Sequence, residues 1–233
     1  MSQRYFVEKL NGVIDHQDAH HMIKVMRMKD QDEIIVCSKQ ACILASIEIK
    51  DKQVLYKELK QLDYKTHFDV TIIQGLPKKN KMEFVSKYAT VYGAASLYFC
   101  GMDRSIVKLE NDGFKKERLT AIAKEAAELA HRSFVPEVMM FQSLKHIDFN
   151  LFDVVIVADE DEHMVEINTL LPLDMSKKYA VIIGPEGGIS EQERKYFKSI
   201  NAHFITLGHY ILPTESASLS VLSFFMHQNH KLF

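Results

Sequence analysis

A glycine-rich loop between an apolar run and a polar helix start constrains the fold of this chain more than any other feature. The loop, residues 184–188, reads Gly-Pro-Glu-Gly-Gly and follows residues 179–183, whose β-branched side chains predict a short buried strand. After the loop, Ser190 and Glu193 have the spacing of a capping box and predict the start of a helix. A glycine-rich loop that joins a strand to a helix is a common cofactor site in α/β proteins.

The composition of this loop is not typical of a phosphate site. It lacks the lysine and the hydroxyl residue of a phosphate-binding loop, and the carboxylate of Glu186 would repel a polyphosphate. The backbone at Gly184, Gly187 and Gly188 can instead approach a flat or cationic ligand closely, because glycine has no side chain. Glu186 itself either pins its own loop or lines the ligand pocket.

The overall composition excludes several classes of protein. The chain has 233 residues, 47% of them hydrophobic, which is enough for one large domain or two modest ones. Its net charge of −2 excludes a general polyanion binder, although local basic patches remain possible. No stretch approaches the ~20 apolar residues of a membrane span, and Arg4, Glu8 and Lys9 interrupt the apolar core that a signal peptide needs. We therefore expect a soluble cytoplasmic protein with no membrane partner.

The cysteines point to the same compartment. Cys37, Cys42 and Cys100 form no Cys-x-x-Cys pair, and each lies in or beside an apolar run. This pattern predicts buried free thiols, which suit a reducing compartment.

The hydrophobic pattern changes near residue 68 and predicts two domains, residues 1–68 and 69–233. Up to residue 68, predicted strands at 4–7, 33–37, 42–49 and 53–59, with a brief helix capped by Asp18, indicate a small β-barrel. Beyond it, predicted strands (70–74, 96–100, 154–158, 179–183, 204–207) alternate with predicted helices (81–92, 114–130, 218–226). This alternation predicts an α/β fold with a parallel sheet that is covered on both faces.

The order of motifs resembles one family. After the Gly-Pro-Glu-Gly-Gly loop come Leu207-Gly208, Ile211-Leu212 and Thr214-Glu215-Ser216-Ala217. This order is similar to that of the SPOUT (α/β-knot) methyltransferases. More narrowly, it resembles the RsmE family, which methylates N3 of a uridine in 16S ribosomal RNA with S-adenosylmethionine. Further matches lie along the whole chain, at Arg4-Tyr5-Phe6-Val7, His20-His21, residues 25–28, Lys78 with Lys81 and Met82, Arg104-Ser105, Val107-Lys108, residues 125–128, Arg132 and Pro136.

The resemblance implies a fold, a cofactor and partners. The N-terminal domain would be a PUA-like β-barrel that helps to hold RNA, and the C-terminal domain a trefoil knot that binds S-adenosylmethionine and forms a homodimer. The substrate would be 16S rRNA, within the assembled 30S subunit. The implied cofactor-binding residues are Ala158, Gly184, Pro185, Glu186, Gly187, Gly188, Leu207, Gly208, Ile211, Leu212 and Thr214. The implied RNA-binding residues are Arg4, Arg27, Lys78, Lys79, Lys81 and Arg104.

Two residues are candidates for the chemistry. N3 of uridine carries a proton at neutral pH, so a group or a water molecule must accept it, or the site must favour the anion. Arg132 matches a family position and could stabilise the anion, and Glu215 could accept the proton. The basic cluster at residues 78–81 either contacts phosphate, since cations are unfavourable at a helix N-terminus, or is an ordinary charged helix start.

No metal is expected. His20 and His21 are adjacent, so on a helix they point in different directions, and no cysteine, histidine or aspartate joins them at ligand spacing. Residues 159–162, which read Asp-Glu-Asp-Glu, allow a pair of catalytic acids or a magnesium site, but a solvated loop after a strand is the favoured interpretation.

The chain departs from the family pattern at several polar positions. Tyr210 and Pro213 stand where the family usually has arginines, Leu129 replaces a glutamine and Val91 a glutamate, and Ser38-Lys39-Gln40 replaces an Asp-Gly turn. The loss of two arginines beside the methyl donor removes two contacts to phosphate or base.

Three interpretations follow from these motifs. The first is an active RNA methyltransferase, and the second is a catalytically weakened or silent RNA-binding protein of the same fold. The third, a dinucleotide-dependent oxidoreductase, is weak because no Gly-x-Gly-x-x-Gly follows an early strand.

Overall fold

The chain forms two compact units. The computed structural model describes residues 3–63, 67–78, 81–109, 113–162 and 165–229. The first unit comprises Met1–Thr66 together with Ala127–Val135, and the second comprises His67–Ala126 together with Pro136–Phe233. The division near residue 66 lies close to the change in hydrophobic pattern. No sequence signal indicates that residues 127–135 belong with the N-terminal unit.

The first unit is built on a mixed four-stranded sheet. Its strands are β1 (Arg4–Phe6), β2 (Glu33–Cys37), β3 (Cys42–Lys50) and β4 (Gln53–Leu62), in that order across the sheet. Strands β1 and β2 are parallel, whereas β2–β3 and β3–β4 are antiparallel. Among the described residues β1 does not pair with β4, so the strand pairing is that of an open sheet and not of the closed barrel that the sequence predicts.

Local chemistry explains the helix and the hairpin of this unit. Helix α1 (His16–His20) is capped by Asp15, whose carboxylate accepts a hydrogen bond from the amide of Asp18 at 2.9 Å. The predicted cap at Asp18 is therefore wrong by one turn. Asp51 and Lys52 both have positive φ, 46° and 69°, which is the backbone of a two-residue type I′ hairpin between β3 and β4.

Two of the three cysteines are paired. Cys37 and Cys42 face each other in the β2–β3 register and form a disulfide, so the prediction of three free thiols is wrong for this pair. The tight turn between them is closed by Ser38, whose hydroxyl accepts hydrogen bonds from the amides of Gln40 and Ala41. Cys100 is free and buried, as predicted, and burial raises the pKa of its thiol to about 12.

The second unit contains a six-stranded parallel sheet, which confirms the predicted α/β fold. Its strands are β5 (Asp69–Gly75), β6 (Ser96–Cys100), β7 (Glu137–Phe141), β8 (Val154–Ala158), β9 (Lys178–Ile183) and β10 (His203–Ile205). The order across the sheet is β10-β8-β9-β5-β6-β7, and every pairing is parallel. The sequence did not predict β7, an edge strand that is only partly buried.

Helices cover both faces of this sheet. They are α2 (Lys81–Val91), α3 (Gly113–Leu129), α4 (Glu191–Ser199) and α5 (Thr214–Asn229). On one face, the α5 ring of Phe225 packs edge-on against Phe68 and Tyr179. On the other, the α4 ring of Phe197 is fully buried in a cluster with alternate residues of β5, β8 and β9. The predicted capping box is present, with Ser190 as the N-cap of α4 and Glu193 as its partner.

Helix α5 begins four residues earlier than its apolar run predicts. The carbonyl of Pro213 accepts hydrogen bonds from the amides of Ser216 and Ala217, which opens the first turn. A proline is tolerated at the start of a helix because its missing N–H would have no intrahelical partner there. None of the helices in the described part of the chain is long and apolar enough to cross a membrane.

Candidate active site

A cleft of about 920 Å³ opens at the carboxyl edge of the parallel sheet. It is bounded by the loops that follow β8, β9 and β10, because the register places the last residues of these strands, Ala158, Ile183 and Ile205, side by side. Ligands of open α/β sheets bind outside the carboxyl ends of the strands, where the strand order reverses. Here the strand order reverses between β5 and β9, next to the glycine loop that forms one wall of the cleft.

The glycine loop after β9 is held from beneath by a buried polar contact. The hydroxyl of Thr214 donates a hydrogen bond to the carbonyl of Gly184 at 2.5 Å and accepts one from the side-chain amide nitrogen (Nε2) of Gln74 at 2.7 Å. Gln74 and Thr214 are both buried, so these bonds are shielded from water. The loop is thereby tied to the end of β5 and to the start of α5.

The loop also closes on itself and has little room for side chains. A Cβ on Gly184 would lie 3.0 Å from the carbonyl carbon of Gly188, and Gly188 has a φ of 70°, a conformation that residues other than glycine adopt rarely. Gly187 faces elsewhere: its carbonyl accepts a hydrogen bond from Arg104 at 2.9 Å, and an added Cβ would lie 3.0 Å from that side chain. Only Gly187 among the predicted cofactor residues therefore lies outside the cleft wall.

An ion-pair cluster joins three elements at the mouth of the cleft. The ammonium of Lys81, in the first turn of α2, lies 2.9 Å from the carboxylate of Glu215 and 3.2 Å from that of Glu186. The hydrogen bond to Glu215, against a smaller opposing effect of burial, raises the pKa of Lys81, and Glu186 adds to the rise. These carboxylates explain how a cation is tolerated at a helix N-terminus.

Glu186 pins its own loop and also lines the cleft. Its carboxylate accepts a hydrogen bond from the amide of Lys78 at 3.0 Å. Partial burial acts to raise the pKa of this carboxyl, but hydrogen bonds from the amides of Lys78 and of Glu186 itself, together with Lys81, outweigh burial and lower it. Both interpretations that the sequence left open for Glu186 are therefore compatible with its position.

Asp159 is buried and paired, whereas Glu160 and Asp161 of the same acidic run are exposed, as expected for a solvated loop. Its carboxylate accepts two hydrogen bonds from the guanidinium of Arg194, at 2.5 and 2.8 Å. Arg194 also pairs with Asp161, and its neighbouring carboxylates raise its pKa. The pair fixes the loop after β8 to α4. In the described part of the chain no three histidine, cysteine, aspartate or glutamate side chains are placed to hold a metal ion.

The cleft wall combines most of the predicted cofactor residues with a marked excess of acid. Four carboxylates and one ammonium line it, those of Asp159, Glu160, Glu166, Glu186 and Lys81. The predicted cofactor residues that line it are Ala158, Gly184, Pro185, Glu186, Gly188, Leu207, Gly208, Ile211, Leu212 and Thr214. Their contact with a cofactor stays a prediction.

The two candidate catalytic residues lie in different units. Glu215 is in the first turn of α5 and is paired with Lys81 at the mouth of the cleft. Arg132 belongs to the first unit, where its guanidinium stacks on the ring of Phe134 at 4.3 Å and its carbonyl accepts a hydrogen bond from Arg4 at 2.5 Å. The roles of both residues stay predictions.

The predicted RNA-binding residues are scattered over both units. Arg27 is exposed in the first unit, and Arg4 is half-buried there, where burial lowers its pKa. In the second unit, Lys78 and Arg104 are exposed near the glycine loop, whereas Lys81 is committed to two carboxylates. Lys79 lies outside the described residues.

Sequence reasoning missed the residues that hold the loops in place. Gln74 could have been noticed as a polar residue inside an apolar strand, although its partner Thr214 lies 140 positions away. Arg194 offered no signal beyond an ordinary charged helix face.

Comparison with known proteins identifies the class of protein as RNA methyltransferases. A family model described as an RNA methyltransferase domain matches residues 64–226. The ribosomal RNA small subunit methyltransferase E of Bacillus subtilis (strain 168) is 33% identical over 251 residues, covering 99% of this chain and 98% of that protein.

Solved structures share the same fold. A crystal structure described as that of a hypothetical protein has a TM-score of 0.88 and 30% identity and covers 99% of this chain and 100% of its own. A ribosomal RNA small subunit methyltransferase E from Neisseria gonorrhoeae, bound to S-adenosyl methionine, has a TM-score of 0.84 and 19% identity over 97% of this chain and 98% of its own. This chain belongs to the ribosomal RNA small subunit methyltransferase E family, and the membership predicted from its motifs is confirmed.

Proposed function

We propose that this chain transfers a methyl group from S-adenosylmethionine to N3 of a uridine in 16S ribosomal RNA. Family membership supports the reaction class, and the acidic, loop-lined cleft at the carboxyl edge of the sheet is the observation that carries the proposal. Arg194 compensates Asp159 and Lys81 compensates Glu186, but Glu160 and Glu166 leave the wall with an excess of negative charge that favours a cationic ligand over a polyphosphate.

The residues present fit such a cofactor. The cleft wall around Gly184 is fixed by the buried hydroxyl of Thr214, and the apolar residues Ile183, Ile189 and Ala217 also line the cleft, where a flat ring would lie. S-adenosylmethionine supplies a methyl group on a sulfonium ion, so the protein mainly has to position the reactants and remove solvent.

The remaining task is to remove the N3 proton. Glu215 does not itself line the cleft but contacts Lys81, which does, and it is the carboxylate that we assign as proton acceptor. Arg132 would stabilise the uridine anion, which forms when N3 loses its proton. The assignment of Glu215 rests on the family resemblance and on its contact with Lys81, and that of Arg132 rests on the family resemblance alone.

The finer architecture follows from the same membership. We assign the first unit, with its open mixed sheet, as a PUA-like domain that holds RNA through Arg4 and Arg27, and the second as a trefoil-knot domain. The substrate is 16S rRNA in the 30S subunit, contacted also by Lys78, Lys79 and Arg104. The functional form is a homodimer, and an enzyme of ribosomal RNA is expected in the cytoplasm.

The silent-protein alternative has a weaker basis in the structure. Pro213 replaces an arginine that the family usually has, but it also has a local structural role, because its carbonyl accepts the first hydrogen bonds of α5. Transfer of labelled methyl from S-adenosylmethionine to undermethylated 30S particles separates the two proposals. Multiple turnovers support the enzyme, whereas cofactor binding without any transfer, to particles or to naked 16S rRNA, supports the silent protein.

A further inference from the structure

An exposed aromatic side chain stands at the mouth of the cleft. Tyr210 is 87% exposed and its neighbour Ile211 is 81% exposed, yet both line the cleft. The rings of Phe68, Tyr179 and Phe225, by contrast, are buried against one another inside the same unit. Because the side chain of Tyr210 is packed so little against the rest of the protein, its ring is accessible to a ligand.

The depth of the cleft separates two binding zones. Its floor is made of residues that are almost fully buried, such as Ile183, Ile189 and Thr214. Its mouth is made of residues open to solvent, including Tyr210 and Ile211. A cofactor that occupies the shielded floor leaves the mouth for the macromolecular substrate, which arrives from solvent.

The size of the cleft is compatible with both occupants. Small-molecule sites commonly measure ~300–1,000 Å³, and this cleft, at about 920 Å³, lies near the upper end of that range. The cleft is therefore large for the site of a single small molecule and extends to the surface at Tyr210.

The charge around the mouth favours a base over a phosphate. The ammonium of Lys81 is already shared by Glu186 and Glu215, and the other charged residues of the cleft wall are carboxylates. A phosphate group would meet net repulsion there, whereas a neutral pyrimidine ring can stack on an aromatic face without charge compensation.

We propose that Tyr210 is a substrate-binding residue that stacks on the target base after it leaves the RNA stack. This inference rests on the proposed function, since an enzyme that modifies N3 must bring the pairing edge of the base into its pocket. Tyr210 stands where the family usually has an arginine, so this chain would hold its target base by stacking in place of a cationic contact.

Steady-state kinetics on 30S particles tests the inference. Base stacking on an aromatic residue contributes to both the ground and the transition state, so Tyr210→Ala should raise KM for the particle by about 5-fold to about 100-fold with little change in kcat. Tyr210→Phe should retain the wild-type KM, because it keeps the ring and removes only the hydroxyl. S-adenosylmethionine affinity, measured by calorimetry, should be unchanged in both variants.

A matched control comes from a second exposed aromatic residue. Phe114, on α3, is 85% exposed and does not line the cleft, so Phe114→Ala should leave KM for the particle unchanged. If the wild-type protein shows no transfer at all, the proposed function fails. If it turns over and Tyr210→Ala has the wild-type KM, the stacking inference alone is wrong.

Fluorescence provides a readout independent of turnover. The chain contains no tryptophan, so Tyr210→Trp carries a single reporter at the cleft mouth. Oligouridylate should quench this tryptophan, and an abasic ribose-phosphate oligomer of the same length should not. Equal quenching by both oligomers would show that residue 210 does not stack on the base. Quenching by S-adenosylmethionine, with none by oligouridylate, would show the same.

Discussion

At the scale of single residues, the ion pairs of Lys81 fix the positions of two carboxylates beside the cleft. Its ammonium holds the carboxylates of Glu186 and Glu215, which come from the glycine loop and from α5. Each of these side chains is between one-fifth and one-third exposed, and partly exposed pairs of this kind contribute ~0–1 kcal/mol to stability. We therefore expect these ion pairs to affect the geometry of the site more than the stability of the fold.

This arrangement predicts that Lys81 is not a phosphate contact. Lys81→Met should weaken S-adenosylmethionine binding several-fold, because the glycine loop loses the ion pair that fixes Glu186 and the two carboxylates repel each other. We expect this loss of loop geometry to outweigh the added attraction of the free carboxylates for a cationic cofactor. The salt dependence of RNA binding should stay the same, since no phosphate contact is lost. Calorimetry and filter binding at several salt concentrations measure the two effects.

The matched control for this variant is Lys87→Met, on the exposed side of the same helix. It should change neither quantity. A fall of about 0.7–0.9 in the slope of log K against log salt in Lys81→Met would instead show that Lys81 contacts RNA phosphate.

At the scale of elements, the glycine loop is shaped by its own backbone. Gly188 has a φ of 70° and an added Cβ would contact the carboxylate of Glu160. Gly93 also has a positive φ, 102°, but an added Cβ there would meet nothing within 4 Å. An L-residue in this conformation costs ~1–2 kcal/mol, so alanine at either position should destabilise the fold by a comparable amount.

The two alanine variants should differ only in cofactor binding. Gly188→Ala should lower the affinity for S-adenosylmethionine at least tenfold, because the added Cβ strains the positive-φ backbone of the loop and displaces the carboxylate of Glu160 in the cleft wall, whereas Gly93→Ala should retain the wild-type affinity. Urea unfolding measures the stability of each variant and calorimetry measures the affinity. Equal affinities in the two variants would show that the conformation of the glycine loop is not needed for the cofactor.

The sequence predicts elements well where local patterns determine them. Strands β8 and β9 are continuous apolar runs, as buried parallel strands require, and the capping box at Ser190 depends on residues only three apart. Strand β7 escaped prediction because an edge strand is only partly buried.

Features that depend on long-range contacts could not be predicted in the same way. The bond between Gln74 and Thr214 and the ion pairs of Lys81 join residues that are far apart in the sequence. The Cys37–Cys42 disulfide joins residues close in sequence, but it depends on the register of the β2–β3 hairpin. A single sequence does not reveal these. The family resemblance did imply which loops border the cleft, and in the structure these loops follow strands whose ends meet at one edge of the sheet.

At the scale of the whole molecule, α5 has more apolar surface than its own unit covers. Val221, Leu222 and Phe225 are buried on one side of the helix, whereas Leu219 and Phe224 are half-buried and Met226 is exposed. A helix that is apolar on several sides needs a further partner. A second copy of the chain would provide one.

Light scattering tests the proposed homodimer. At micromolar concentration the protein should have twice the 26.9 kDa mass of one chain, and Leu219→Glu should reduce it to the monomer mass. Leu151→Glu, at a leucine that is 60% exposed and distant in sequence from α5, is the control and should leave the mass unchanged. A monomer mass for the wild-type protein would contradict the proposal.

The central claim is that the cleft transfers methyl to N3 of a uridine in ribosomal RNA. Its most direct test is mass spectrometry of nucleosides from 30S particles treated with the protein and S-adenosylmethionine bearing a labelled methyl group. We predict labelled N3-methyluridine, at a single position of 16S rRNA, in the wild-type reaction and much less with Gly188→Ala. Label on a ribose, on carbon 5 of uridine or on another base, or no label in RNA at all, would contradict the account.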